Sequence, residues 1–180
     1  MNNTQIYNDY LMHHGIKGQK WGVRRYQNPD GTLTDRGKKR YYSSESIGNG
    51  LYLLEKKPGK IATGLAKINK NVAVNVKKDK TYDVFDSNGK NVGLAQLWLE
   101  SKKHTHLEWI SVKETERGKK YAQTILDSLI EKERGKGTEY MTLDALLDSP
   151  DAVHIYEKKG FESTGKIDRD INALKMKKKL

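Results

Sequence analysis

The chain has 180 residues and a formal charge of +11, and its mean hydropathy of −0.87 leaves part of it outside any core. The absence of cysteine excludes disulfides, thiolate metal centres and a cysteine nucleophile. No apolar run reaches the roughly 18 residues of a membrane-spanning helix, and residues 1–15 lack the charged start and apolar stretch of a secretion signal.

The charge is unevenly spread. Residues 1–45 carry eight Lys/Arg against four Asp/Glu, a net +4, and residues 46–80 carry eight against two, a net +6. The last 100 residues are nearly balanced at +1. A basic segment ahead of a neutral domain suggests an anionic partner, whether nucleic acid, a membrane surface or an acidic protein face, or else a tail kept soluble by its lysines.

Residues 1–12 are polar. In residues 13–42, dense in glycine, basic and aromatic residues, Asn28-Pro29-Asp30-Gly31 predicts a turn, and Thr34-Asp35 could start a short helix over Arg36–Arg40. This stretch reads as a basic, poorly ordered arm. Leu51–Leu54 predicts a strand, Ile61, Leu65 and Ile68 share one face of a short helix, and Val72, Val74 and Val76 alternate like a strand. Tyr82–Phe85, the turn Asp86–Gly89 and Val92–Leu99 predict a β-hairpin, and Thr105–Val112 a third strand. A helix over 117–134 ends at Gly135 and Gly137. A short strand follows at Tyr140–Leu143. Ser149 as N-cap and Pro150 at the first position then open a helix that stops at Gly160. Phe161 onward and Ile171–Met176 close the chain as two strands. The order β-β-β-α-β-α-β-β describes an α+β domain with a mostly antiparallel mixed sheet flanked by helices. The arm spans residues 1–47 and the domain residues 48–180.

The stretch that carries chemistry is a strand, Leu107–Val112, a loop, and then Arg117-Gly118-Lys119-Lys120-Tyr121-Ala122 opening a helix. A glycine-bearing turn there exposes backbone N–H groups at a helix N-terminus, where they favour phosphate; a merely basic connection is the plainer alternative. This stretch resembles the Gln/Arg-x-x-Gly-x-Gly/Ala loop of the GCN5-related N-acetyltransferase (GNAT) family. Asp148–Phe161 resembles the same family's Asn-x-x-Ala-x-x-x-Tyr-x-x-x-Gly-Phe helix and turn, and Ala173–Met176 its final strand. The resemblance covers roughly residues 81–180 and implies acetyl-CoA as cofactor and an amine on a protein, peptide or small molecule as acceptor. It implies that Arg117, Gly118, Lys119, Lys120, Tyr121 and Ala122 hold the pyrophosphate. Lys120 replaces the family's central glycine, so its Cβ would crowd the phosphates or tilt the loop, while Lys119 and Lys120 offer compensating positive charge. Ile110 and Val112 would line the pantetheine arm with their backbone. Tyr156 matches the tyrosine that protonates the departing thiolate. His106 and Glu108 are the candidate bases, expected on one strand face with Ile110 and Val112 because strand side chains alternate.

Residues 11–34 resemble a short module of phage and prophage proteins of Gram-positive gut bacteria. That implies a cytoplasmic protein of a bacterial host or one associated with virions, with a phage structural protein or nucleic acid as partner of the arm. Trp21 and Tyr26 beside Lys20, Arg24 and Arg25 could stack on bases or dock in a protein groove. His13-His14 alone make a poor metal site. The competing readings are a non-catalytic binding protein that kept the fold and a nonspecific nucleic-acid binder.

Overall fold

The computed structural model describes residues 45–58 and 69–180, with scattered positions between 26 and 67. Most of the arm, its histidines and Trp21, and the short helix expected over Ile61, Leu65 and Ile68 lie outside the described residues. Two arm features lie inside them. Thr34 N–H donates to the carbonyl of Tyr26 at 3.1 Å, across the expected turn. Arg36 and Gly37 are helical, and Gly37 N–H donates to Thr34 Oγ1 at 3.1 Å, as an N-cap requires.

Eight strands form one sheet in the order β1-β2-β3-β4-β5-β6-β8-β7. They are β1 (Glu45–Gly48), β2 (Leu51–Glu55), β3 (Asp79–Asp86), β4 (Asn91–Leu99), β5 (His104–Val112), β6 (Tyr140–Leu146), β7 (Glu162–Asp168) and β8 (Ala173–Lys179). Neighbours are antiparallel except β5 and β6, which are parallel. A parallel pair needs a crossover, and α2 (Tyr121–Gly135) supplies it. The remaining helices are α1 (Lys70–Lys78) and α3 (Pro150–Lys158).

Alternation sends Leu51, Leu53, Val84, Ala95, Leu97, Leu107, Met141, Leu143 and Met176 to one face, where they are buried. Ile125, Leu126, Leu129 and Ile130 of α2 cover them in the same cluster. Each such side chain contributes roughly 1.5–3 kcal/mol when fully buried. Val153 and Tyr156 of α3 join that face, and Lys159 Nζ reaches Asp127 of α2 at 2.6 Å. The buried Glu133 of α2 accepts hydrogen bonds from Thr105 Oγ1 at 2.7 Å, Thr138 Oγ1 at 3.1 Å and Lys136 Nζ at 2.6 Å. Burial pushes its carboxyl up, but these donors outweigh burial and hold it below the usual range. The helix is thereby pinned to β5.

Two expectations are corrected, while Ser149 is the N-cap of α3 as expected. Residues 70–78 are helix α1, not a strand: Asn69 Oδ1 accepts from the N–H groups of Asn71 and Val72, and Lys77 and Lys78 sit in the last turn. Val72 and Val76 also lie four residues apart on one half-buried helix stripe, while Val74 points outward. Helix α2 starts at Tyr121 rather than 117, because Gly118 and Lys120 take φ of 81° and 61°, which no right-handed helix accommodates. Ser149 caps α3 through its carbonyl, which accepts from Ala152 N–H at 2.9 Å, and its hydroxyl makes no cap bond. Strand β7 is the outer strand beyond β8, exposed over most of its length, with Gly165 at φ 74° and a register shift between Ser163 and Ile167.

Candidate active site

Strands β5 and β6 pair only from His104 opposite Tyr140 to Leu107 opposite Leu143. Beyond that point β5 stays bonded to β4 and β6 to β8, and the inner edges separate. The cause is a bulge: Leu107 faces Leu97 and Trp109 faces Gln96, leaving Glu108 as the extra residue. The result is a cleft whose inner lip at Ile110–Val112 offers unpaired backbone groups to an extended ligand. Gly93 holds β4 hard against this lip, since a Cβ there would lie 2.3 Å from the Ser111 carbonyl oxygen.

The bulge also corrects the face expected for the candidate bases. Ile110 pairs with Ala95 and Leu107 with Leu97, so both belong to the buried face. His106 pairs with Trp98 on the opposite, open face, and Glu108 and Trp109 are both exposed. Strict alternation fails because one residue has been inserted. The signal was present in the sequence: the apolar positions Leu107, Ile110 and Val112 are spaced three and then two.

Strand β5 runs through a single 3₁₀ turn (Glu114–Glu116) into Arg117–Lys120 and the N-terminus of α2. Lys120 occupies the N-cap position in left-handed conformation, without a side-chain cap bond, so the first amides of α2 remain available to an anion. Asn49 Nδ2 donates to the Lys119 carbonyl at 3.1 Å, tying the β1–β2 turn to the loop. Sequence reasoning missed Glu116, which is buried and takes Lys90 Nζ at 2.6 Å and Lys119 Nζ at 2.7 Å. Hydrogen bonds from Lys119 and Lys90 hold its carboxyl down at about 2. Lys119 is therefore already engaged. Arg117 and Lys120 are exposed, and Tyr121 packs against the core with Lys119 Nζ 5.7 Å from its ring centroid.

Tyr156 lies on α3, which follows β6, and meets Phe161 edge-on with centroids 6.0 Å apart. Burial raises its phenol above the ordinary value, so it stays protonated at neutral pH. On the open face, Thr142 Oγ1 lies 2.9 Å from His106 Nδ1 and 2.8 Å from His104 Nε2. One hydroxyl thus links two imidazoles, donating to one and accepting from the other. His104 stacks on Tyr140 at 4.5 Å, and burial lowers its pKa. Asp144 Oδ2 stands 3.8 Å from His106 Nε2. Thr142, Asp144 and His104 carry no motif and were not singled out from the sequence.

The profile of the Acetyltransferase (GNAT) family matches residues 55–161, more than half of the chain. The chain belongs to the GNAT acetyltransferase family. It is an acyltransferase with acetyl-CoA as its donor. Residues 4–28 match a family of unknown function (DUF7211), and no curated protein matches the chain. Solved GNAT-fold structures share its architecture. One is a GNAT family acetyltransferase from Elizabethkingia anophelis with acetyl-CoA bound, 15% identical, TM-score 0.56, covering 74% of this chain and all of its own. Another is a spermidine N-acetyltransferase from Vibrio cholerae in complex with CoA and spermine, 16% identical, TM-score 0.59, covering 73% of this chain and 96% of its own. A third is an IAA acetyltransferase from Bacillus cereus, 19% identical, TM-score 0.55, covering 72% and 99%. Among the described residues of this GNAT chain, no helix is long and apolar enough to cross a membrane, and no cluster of three metal-ligating side chains occurs.

Proposed function

We propose that this chain moves the acetyl group of acetyl-CoA to the amine of an acceptor that approaches from the open face of the sheet. The observation that carries the reading is the parting of β5 and β6 at Glu108, directly upstream of the uncapped N-terminus of α2. Acetyl-CoA supplies the activated acetyl thioester. Arg117, Gly118, Lys120, Tyr121 and Ala122 would hold its pyrophosphate through backbone amides and positive charge, with Lys119 contributing only as far as Glu116 releases it. The inner edge at Ile110 and Val112 would take the pantetheine arm.

Two protons must leave an ammonium before an amide is complete. His106 receives the first at Nε2 when its Nδ1–H donates to Thr142; Glu108, exposed in the bulge, is the second candidate. The other proton balances the one that the Tyr156 phenol hands to the departing thiolate. Tyr156→Phe lowers turnover roughly 100-fold with acetyl-CoA affinity unchanged; an unchanged rate removes Tyr156 from the reaction.

Lys119 being tied to Glu116 and the Cβ of Lys120 in the loop argue for weaker acetyl-CoA binding than an unobstructed loop would give. Calorimetric titration with acetyl-CoA tests the loop: micromolar binding supports the transfer described here, and no binding at millimolar cofactor overturns it. The polyamine named with the Vibrio cholerae structure is one acceptor class to try. We further read the arm, residues 1–47 by the sequence, as a docking segment for an acidic or nucleic-acid partner from its basic and aromatic content, the phage setting resting only on the resemblance of residues 11–34. Removing residues 1–44 should leave domain folding intact and abolish any salt-dependent association.

A further inference from the structure

The open face at the parting of the strands carries an under-compensated carboxylate. Asp144 has two basic neighbours, His106 Nε2 at 3.8 Å and Lys175 Nζ at 3.9 Å, both outside hydrogen-bond reach. Lys175 lies nearer to Asp168, at 3.2 Å, and His106 is held at its other nitrogen by Thr142. The Asp144 side chain keeps 23% of its surface exposed. A cation placed beside it would also lie beside His106, one residue before the last β5–β6 pair.

The lips of the cleft on this face are apolar. Trp109, two residues beyond the last pair on β5, is 55% exposed, and Leu146, three residues beyond it on β6, is 39% exposed. Register puts both on the open face, since Trp109 pairs with Gln96 and Leu146 stands two residues from Asp144. Large exposed side chains on the two diverging strands that flank one charged group, on its own face of the sheet, fit a recognition surface.

The outer flank is positive. Lys175, Lys177 and Lys179 alternate along β8 on this same face, opposite Asp144, Thr142 and Tyr140, and Lys177 Nζ lies 3.9 Å from the Tyr140 ring centroid. A second cationic centre reaching outward from Asp144 meets like charge.

We propose that the acceptor is a primary amine with a single positive charge and a ring-bearing apolar body, its ammonium at Asp144 and His106 and its body between Trp109 and Leu146. This rests on the acetyltransferase reading above and adds the acceptor class to it. The aromatic face of Trp109 suits both the ring and the adjacent ammonium. Glu108 is the group that a second cation would use instead.

The test compares 2-phenylethylamine with spermidine as acceptors for the full chain, by thiol release from acetyl-CoA, with calorimetric binding of acetyl-CoA measured in parallel. The expected result is a kcat/KM for 2-phenylethylamine at least roughly tenfold above that for spermidine. Trp109→Ala and Asp144→Asn should each raise KM for 2-phenylethylamine about tenfold, with acetyl-CoA affinity unchanged. A preference for spermidine overturns the proposal and points to Glu108. Acetyl-CoA binding without transfer to 2-phenylethylamine overturns the acceptor class and leaves the cofactor site standing. If acetyl-CoA does not bind, the acetyltransferase reading falls first and this proposal falls with it.

Discussion

The two halves of β5 do opposite work. From His104 to Leu107 the strand is bonded on both sides, and Thr105 is fastened to Glu133 on the covering helix. From Glu108 to Val112 it keeps only β4 as a neighbour, and its other edge faces the cleft. A strand paired on both edges has no backbone group left for a ligand, whereas one paired on a single edge has a row of them. The first half supplies rigidity, and the second half presents a template that a rigid neighbour holds in place.

Breaking the anchored half has the largest expected effect. Glu133→Ala strands the Thr105 and Thr138 hydroxyls and removes a buried charge-assisted cluster, at a cost of about 3 kcal/mol of folding stability measured by urea unfolding. Deleting Glu108 attacks the difference between the halves directly. The remaining residues keep their faces and partners, because Leu107, Trp109 and Ile110 already meet consecutive residues of β4. The variant should fold with near-normal thermal stability and lose roughly tenfold or more in acetyl-CoA affinity by calorimetry. Retained affinity would show that the bulge does not create the cleft.

Smaller changes sharpen the picture of the loop that follows the open half. Lys120→Gly relieves a left-handed backbone and stabilises the fold by about 1 kcal/mol, and acetyl-CoA binding should tighten. Looser binding would mean that the lysine charge outweighs the strain. The mildest effect is acid-dependent. Because Lys119 and Lys90 hold the Glu116 carboxyl at about 2 instead of 4.5, its contribution is fully present above pH 4.5 and fades as pH falls toward about 2. The stability difference between wild type and Glu116→Gln should shrink across that interval in urea titrations.

The architecture was readable where local chemistry and pattern agreed. Asp86-Ser87-Asn88-Gly89 turned a hairpin, Pro150 opened α3, and the glycine at 160 ended its turn in left-handed conformation. The misread segment, Val72 to Val76, satisfied a two-residue and a four-residue spacing at once, and the cap at Asn69 decided between them. The family words singled out the loop and Tyr156 as candidates. They carried no information on Glu116, whose two lysines come from 26 residues upstream and three downstream. Nor could they find Asp144 and Thr142, which meet His106 only because β5 and β6 are sheet neighbours. Tertiary pairing made these contacts, and no local spacing encodes it.

The outermost strand has a consequence of another kind. Edge strands invite further chains to add on and seed aggregation. Here β7 carries Glu162, Lys166 and Asp168 along its length, while its irregular middle, with Gly165 in left-handed conformation, interrupts the ladder after Ser163. An incoming strand would find neither a flat run nor an uncharged one. The protein thus keeps this flank of its sheet unsuited to self-recruitment at high local concentration.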